Sequence, residues 1–192
     1  DDVSQEQRDW ITKQWPDILR QAQELKAWLL FGDECSFAQW GSLSYTWARR
    51  GHQPTVPTSG KRQAYKVWGF IEYFSGALFY QGQTGKLNSE GYQAFIRGIL
   101  KRSKRHLILV QDGARYHTSK AMQEFFAAHT DRITVQQLPR YSPEFNPLEF
   151  FWRNLKKQAT HLRYFPTLEK LVEKVDSKLR YFAELPSAIQ AV

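Results

Sequence analysis

The stretch AWLLFGDE, Ala27 to Glu34, decides how the chain folds. Its short apolar run ends in acids and predicts a buried strand. The stretch HLILVQD, His106 to Asp112, has the same form and predicts a second strand that ends at an acid. Taken alone, Asp33 or Asp112 is better explained as a turn or cap residue. Because open α/β sheets place ligand sites at the carboxyl ends of their strands, the two acids together favour one shared site.

The other elements predict a mixed sheet flanked by helices. Residues 4–26 predict a helix with a break near Pro16, and residues 65–80 predict a hairpin that turns at Ser75 and Gly76. Helices are predicted at about 89–102 and after Thr118 or Ser119, a strand at 132–138, and two further helices close the chain. The order β, β, β, α, β, α, β, α, α predicts an α/β fold with a five-stranded mixed sheet.

The length and composition indicate one main domain. A chain of 192 residues, 42% hydrophobic, can bury one core. We expect a helical lead-in at 1–26 and the domain at 27–192, with an inserted excursion of loops and short strands at about 39–62. The longest apolar run, Ala27 to Phe31, is far shorter than the ~18 residues of a membrane helix. The single cysteine, Cys35, excludes an internal disulfide framework and suits a reducing cytoplasm.

The charge is basic and segregated along the chain. There are 27 Lys and Arg residues against 19 Asp and Glu, a net charge of +8. No acid occurs in residues 35–71, 91–111 or 150–168, although each segment carries several Lys and Arg. Such segregation is typical of proteins that bind a polyanion, because cations that neutralise phosphates release condensed counterions. A solvated basic surface is the alternative interpretation.

The stretch LPRYSPEFNPLEFFWRNLKK, residues 138–157, predicts a helix with a rigid start. Asn146 is a good N-cap, and Pro147 fits the first helical position, where its missing N–H costs nothing. An apolar stripe from Leu148 onward follows at helical spacing and predicts burial. Glu149 then falls at the third helical position. It can be explained as a capping-box acid that also pairs with Arg153.

Four blocks of the sequence carry a family resemblance: LFGDE (30–34), WARRGHQP (47–54), LVQDGARYH (109–117) and LPRYSPEFNPLEFFWRNLK (138–156). They resemble the catalytic domain of mariner-superfamily transposases, in the bacterial insertion-sequence branch. The resemblance implies an RNase H-like fold and a DDE carboxylate triad at Asp33, Asp112 and Glu149. Family members often have Asn after the second Asp, where this chain has Gly113. The family's N-terminal DNA-reading region is not seen, so we expect the catalytic part of a longer protein.

The implied activity is divalent-metal-dependent cleavage of DNA at transposon ends, followed by transfer of the freed 3′-OH into target DNA. Two Mg²⁺ ions, with Mn²⁺ as a substitute, would serve the attacking and leaving oxygens. Such hard cations take oxygen ligands, which suits Asp and Glu. We expect Asp33 to bridge both ions, and Asp112 and Glu149 to complete one ion each.

The resemblance also implies partners. We expect binding to double-stranded DNA, both transposon ends and target, self-association on DNA as a dimer, and a location in the bacterial cytoplasm at the nucleoid. Candidate DNA-contacting residues are Trp47, Arg49, Arg50, Lys61, Arg62, His117, Arg153, Lys156 and Lys157. Trp47 could instead pack beneath a loop, and the α-helical cations could form a solvated face. Two other functions stay open: an RNase H-like nuclease or resolvase without strand transfer, and a domesticated DNA-binding module.

Overall fold

The computed structural model describes residues 4–40, 46–52, 55–57, 60–113 and 117–190. Its centre is a five-stranded sheet, in which the strands lie in the order β3-β2-β1-β4-β5. Neighbouring strands are antiparallel in β3-β2-β1 and parallel in β1-β4-β5. The strands are β1 (Trp28–Ala38), β2 (Ala64–Glu72), β3 (Leu78–Thr84), β4 (Leu107–Gln111) and β5 (Ile133–Gln137). The predicted mixed sheet is therefore confirmed.

Helices cover both faces of this sheet. They are α1 (Gln5–Asp9), α2 (Trp15–Glu24), α3 (Ser89–Arg102), α4 (Lys120–Ala127), α5 (Pro147–Ala159), α6 (Leu168–Glu184) and α7 (Pro186–Gln190). Helix α3 has the predicted bounds, α4 is capped by Ser119, and α5 is capped by Asn146 with Pro147 in its first turn. None of the helices in the described ranges combines the length and hydrophobicity of a membrane-crossing segment.

The N-terminal helices differ from the prediction at Pro16. The chain does not break there. A π-helical segment, Trp10–Gln14, joins α1 to α2, and the N–H of Trp15 donates to the carbonyl of Trp10. Proline has no N–H to offer the usual helical ladder, and the wider turn before it accommodates this loss.

The core forms on both faces of the sheet. Helices α3 and α4 pack on one face around Leu30 and Phe70. On the other face, the π-helical segment and α2 cover Leu29 and Phe31, while α5 and α6 cover Cys35 and Phe37. Because side chains alternate along a strand, Asp33 shares this second face and lies between its two clusters.

Strand β1 is longer than the sequence predicted. Asp33 does not end the strand but lies in its middle, because β2 continues to pair with β1 as far as Ala38. The parallel pairing of β1 with β4, however, stops at Phe31 and Val110. Asp33 is therefore at the end of the parallel part of the sheet, although not at the end of its strand.

The predicted excursion lies between β1 and β2. In the parts of this segment that the structure describes, residues 39–40, 46–52, 55–57 and 60–63, the backbone forms no strand. The short strands expected there are absent from those parts, and residues 41–45, 53–54 and 58–59 are not described. Residues 114–116 of the third resemblance block are also outside the described residues. The division into a lead-in at 1–26 and a domain at 27–192 stays a prediction.

Candidate active site

A cavity of about 590 Å³ opens at the carboxyl ends of β4 and β5. Three acids from distant parts of the sequence line it: Asp33 of β1, Asp112 after β4 and Glu149 of α5. The segment that follows β5 forms most of the remaining wall, from Gln137 to Pro143. The structure thus brings together the three acids that the sequence singled out.

The sheet register sets Asp33 beside Asp112. Phe31 and Val110 are partners in the parallel pairing of β1 and β4. Asp33 comes two residues after Phe31, and Asp112 comes two residues after Val110. Both acids therefore lie just beyond the point where the parallel pairing of β1 and β4 ends. Residues two apart in a strand face the same side. The parallel register therefore accounts for this half of the site.

Burial and neighbouring carboxylates raise the pKa of Asp33. Its side chain is half-buried, whereas Asp112 keeps 55% of its side chain exposed. Burial, with smaller contributions from the charges of Glu34, Glu149 and Asp112, raises the pKa of Asp33 to about 7. The charged form of a carboxylate is disfavoured where water is scarce and like charges are close. A cation among these acids would relieve the repulsion.

Gly69 allows α5 to lie close to the sheet at Asp33. It is the antiparallel partner of Asp33 in β2. A Cβ placed on Gly69 would come 2.7 Å from the Trp152 ring and 3.3 Å from Leu148. Both are buried side chains of α5. Since Glu149 lies between them in the sequence, the first turns of α5 are held against β2 beside Asp33.

Asn146 ties the start of α5 to β1. It is 4% exposed. Its side-chain oxygen accepts from the N–H of Leu148 at 3.1 Å, which caps the helix. Its Nδ2 donates to the carbonyl of Gly32 at 3.1 Å, one residue before Asp33. One amide therefore fixes the helix that carries Glu149 relative to the strand that carries Asp33.

The carboxylate of Glu149 neither caps α5 nor pairs with a cation of that helix. The N–H of Asn146 donates to Pro143 at 3.0 Å, so the capping box allowed by the sequence does not form. No ion pair joins Glu149 to Arg153 among the described residues, and the Arg153 guanidinium lies over the Phe150 ring instead. Glu149 is exposed to the cavity.

Glu144, the other acid of this stretch, lies elsewhere. It lines a separate aromatic cavity beside Trp10 and Trp15. Its Oε1 accepts from Nε2 of Gln7 in α1 at 3.4 Å. Glu144 therefore contacts the N-terminal helices and does not line the cavity of the three acids.

His117 holds Asp112. Its Nδ1 lies 3.0 Å from Oδ1 of Asp112, and its ring is buried against Tyr92, with 4.7 Å between ring centroids. Tyr92 in turn donates its hydroxyl to Oε1 of Gln111 at 2.6 Å, directly before Asp112. A buried, packed imidazole that contacts a carboxylate limits the positions which that carboxylate can adopt.

A family model described as DDE superfamily endonuclease matches residues 28–172, a span that includes all three acids. The chain belongs to this family. The prediction of a DDE endonuclease domain is thereby confirmed. No significant match to a curated protein sequence is found.

Solved structures share the fold of this DDE endonuclease domain. The catalytic domain of Mos1 mariner transposase is 16% identical, with a TM-score of 0.60, covering 99% of this chain and 93% of that one. Mos1 in a paired-end complex with the left transposon end has a TM-score of 0.67 at 14% identity. A Mos1 paired-end complex with Mg also has a TM-score of 0.67, at 15% identity. The predicted RNase H-like fold is confirmed.

The DDE endonuclease domain spans part of the Mos1 protein. It covers 62% of the Mos1 chain in both paired-end complexes. The bacterial insertion-sequence branch stays a prediction, since neither the family model nor the Mos1 structures identify that branch.

The predicted DNA-contacting residues of the DDE endonuclease domain lie outside the cavity. Trp47 is fully exposed, so the interpretation that it packs beneath a loop is wrong. The four cations of the same segment are exposed as well: Arg49, Arg50, Lys61 and Arg62. On α5, Arg153 and Lys157 are exposed, and the Nζ of Lys156 lies 6.0 Å from the centroid of the Phe37 ring. The Lys and Arg side chains of α5 therefore lie along β1, at increasing distance from Glu149.

The three acids supply the oxygen atoms that a divalent cation takes as ligands. Their cavity is larger than the coordination shell of a single ion. Among the described residues, no three His, Cys, Asp or Glu side chains are arranged so that they could hold one ion together. Three carboxylates on one 590 Å³ cavity are nevertheless the oxygen donors that Mg²⁺ takes alongside water. Side-chain rotation would be needed to bring the three onto shared ions.

Two contributors to this site escaped the sequence-based prediction. Gly69 stands alone in an apolar strand pattern, and an isolated Gly there signals a close approach of another group. The bond from Asn146 to Gly32 joins residues 114 apart and has no local signal.

Proposed function

We propose that Asp33, Asp112 and Glu149 form the carboxylate triad of a metal-dependent DNA endonuclease and strand transferase. The observation that carries this proposal is the shared cavity of the three acids, reached from β1, β4 and α5. The raised pKa of Asp33, caused mainly by burial and in smaller part by the charges of Glu34, Glu149 and Asp112, supports it, because strongly perturbed carboxylates in a cavity are typical of functional sites. Among the described residues no hydrogen bond or ion pair engages the carboxylate of Glu149, and this supports the proposal as well.

Asp33, Asp112 and Glu149 would together hold two Mg²⁺ ions, or two Mn²⁺ ions. When bound, such ions would supply charge that stabilises the attacking and leaving oxygens of a phosphodiester. His117 would hold the Asp112 carboxylate in place during this step. Asn146 would keep α5, and with it Glu149, in register with β1.

The first reaction is hydrolysis. Water attacks the phosphorus, a new P–O bond forms, and the bond from phosphorus to the 3′ oxygen breaks, which leaves a 3′-OH and a 5′-phosphate. In the second reaction that 3′-OH attacks a target phosphodiester. The new strand junction forms as the target's own 3′ oxygen leaves. Neither step requires a covalent bond between protein and DNA.

Double-stranded DNA is the proposed substrate. Arg153, Lys156 and Lys157 follow Glu149 along α5 and are suited to backbone phosphates. The exposed residues of the segment between β1 and β2 would contact DNA or a second copy of the chain: Trp47, Arg49, Arg50, Lys61 and Arg62. We propose that two copies act together on DNA, by analogy with the paired-end complexes of Mos1. In a bacterial cell this substrate would place the protein at the nucleoid.

A strand-transfer assay tests the proposal. The chain is incubated with Mg²⁺ or Mn²⁺, a labelled duplex that ends in a 3′-OH, and a supercoiled plasmid. We expect nicking of uncut duplex and covalent joining of the labelled end to plasmid. Cutting without joining would show an RNase H-like nuclease or resolvase. DNA binding with neither reaction would show a non-catalytic DNA-binding module.

A further inference from the structure

A second cavity, of about 620 Å³, lies where the loop after α5 meets α6. Three cations line it, Arg163 from the loop and Lys170 and Lys174 from α6, together with one acid, Glu173. We call this cavity the α6 groove. It is separate from the cavity of the three acids and shares no lining residue with it.

The charge of the α6 groove is positive after its internal pairing. The Nζ of Lys170 lies 2.8 Å from Oε2 of Glu173, which neutralises that acid. Arg163 and Lys174 form no ion pair with any described residue. Two cations therefore remain available to an anion from outside.

The wall of the α6 groove is held in place and presents an aromatic surface. Phe165 is buried, and its carbonyl accepts from Nε2 of Gln39 at 3.2 Å, just past the end of β1. Tyr164, beside it in the groove, is 47% exposed. A fixed loop that exposes a ring next to free cations is suited to a sugar-phosphate backbone, where the ring packs on sugar and the cations meet phosphate.

The distance from the triad follows from element lengths. Gln39 lies six residues beyond Asp33, which at ~3.3 Å per residue is about 20 Å. Helix α5 runs the same way from Glu149 to Ala159, about 15 Å at 1.5 Å per residue. Exposed Arg153 and Lys157 lie along it, and no acid occurs from Phe150 to Leu168. The cations thus extend from the triad to the α6 groove without an intervening negative charge from this segment.

We infer that the α6 groove is a second DNA-backbone site, which binds phosphates about four to six base pairs from the phosphate in the triad cavity. A separation of roughly 15–20 Å at 3.4 Å per base pair gives this number. The inference rests on the proposed function for the position of the scissile phosphate. The existence of the groove as a phosphate site does not depend on catalysis.

The test compares the double variant Arg163→Gln/Lys174→Gln with wild type and with Lys101→Gln/Arg102→Gln. The control removes the same charge from exposed residues at the end of α3, beside the start of β4 and at the opposite edge of the sheet from Asp112. Fluorescence anisotropy on a duplex of about 30 base pairs, in Ca²⁺, gives affinity over a salt series. Circular dichroism melting checks that each variant is folded.

We expect the groove variant to bind DNA on the order of tenfold more weakly at about 100 mM salt. The slope of log affinity against log salt concentration should become shallower by about two. The control should change affinity by less than about twofold, and the charge-conserving Arg163→Lys/Lys174→Arg should bind as wild type. A folded groove variant with wild-type affinity and slope would overturn the inference.

Ethylation interference then locates the phosphates that the α6 groove binds. Ethylated phosphates about four to six base pairs from the cut should impair cleavage by wild type but not by the groove variant. Interference at those phosphates that is equal in both proteins would overturn the assigned position. If wild type binds DNA but does not cleave it, the proposed function fails, while the anisotropy result still decides whether the groove binds DNA.

Discussion

Asp33 and Asp112 lie two residues beyond Phe31 and Val110, the last partners in the parallel pairing of β1 and β4. After this pair the two strands diverge: β1 continues along β2, while the chain leaves β4 for a loop. The acids therefore lie where the sheet opens. Glu149 reaches the same opening from α5, so the site combines a strand, a loop and a helix.

Glu149→Gln tests the third acid. Gln keeps the shape of the side chain, and the cap on α5 comes from Asn146, so folding and DNA binding should stay nearly unchanged. Metal-dependent cleavage should fall by more than about 100-fold, the scale on which removal of one transition-state charge contact acts. A gel assay for nicked duplex measures this.

Glu144→Gln is the matched control for Glu149→Gln, because Glu144 lies in the same stretch but lines another cavity. It should retain most of the activity. Normal cleavage by Glu149→Gln, or loss of its fold, would mean that this acid serves the helix instead.

Asp33→Asn should make the protein more stable, with a dependence on pH. The pKa of Asp33 is raised from 3.8 to about 7, so the folded state resists ionisation of this carboxylate. The resulting destabilisation is absent below the unfolded pKa, grows as pH rises, and is complete above about pH 7. The melting temperature of Asp33→Asn should exceed that of wild type by several degrees at about pH 8 and by less at about pH 5.

The control for Asp33→Asn is Asp131→Asn, an exposed acid just before β5 at the opposite edge of the sheet. It should show no such pH-dependent gain. In addition, Mg²⁺ should raise the melting temperature of wild type and not that of Asp33→Asn, since a ligand stabilises the state that binds it. An Asp33→Asn protein that is less stable than wild type at both pH values would contradict the assigned environment.

Cleavage should depend on the identity of the divalent cation. Mg²⁺ and Mn²⁺ should support it, whereas Ca²⁺ should support DNA binding with little turnover. Calcium takes longer and more irregular coordination, which misplaces the reacting oxygens. Parallel cleavage and anisotropy measurements in each cation make the comparison, and full cleavage in EDTA would rule out the metal mechanism.

DNA binding by the chain should show little sequence preference and a steep dependence on salt. Phosphate contacts carry no base information, and each contact releases counterions. A fourfold rise in salt should weaken binding by roughly 100-fold if about four phosphates are contacted. Anisotropy with duplexes of unrelated sequence tests this, and strong selectivity for one sequence with no salt effect would contradict it.

Asn146→Ser should separate capping from positioning. Serine can still cap α5, but it cannot reach the carbonyl of Gly32, and an unpaired buried acceptor costs about 1–3 kcal/mol. We expect a lower melting temperature, because the carbonyl of Gly32 loses its partner. We also expect a fall in kcat with little change in KM, because a displaced Glu149 would impair the reaction of bound substrate and not its binding. Asn154→Ser is the control, because Asn154 is a partly exposed residue whose side-chain oxygen accepts from Nε2 of Gln158 within α5 itself. Equal changes in kcat and KM would argue against a positioning role.

Local patterns were enough to predict much of this molecule. Apolar runs that end in acids gave β1 and β4, a Ser-Gly turn gave the hairpin of β2 and β3, and Asn146 with Pro147 gave the start of α5. These signals lie within a few residues of the feature that they predict.

The parts that could not be predicted depend on contacts between distant segments. Strand β1 continues through Cys35 to Ala38 because β2 pairs with it, although its apolar run stops at Phe31. The π-helical segment before Pro16 and the bond from Asn146 to Gly32 likewise arise only when the chain is folded. The position of Glu149 relative to Asp33 depends on the bond from Asn146 to Gly32, so the sequence could name these acids but could not place them relative to each other.

Gly69 offers a second way in which the activity of this protein could be lost. Since Trp152 occupies the space of its missing side chain, any larger residue there would push α5, and Glu149 with it, away from Asp33. A gene copy could therefore keep all three acids and still encode an inert protein. When copies of this gene are compared, we therefore expect substitutions at Gly69 to abolish activity as effectively as substitutions at the three proposed triad acids.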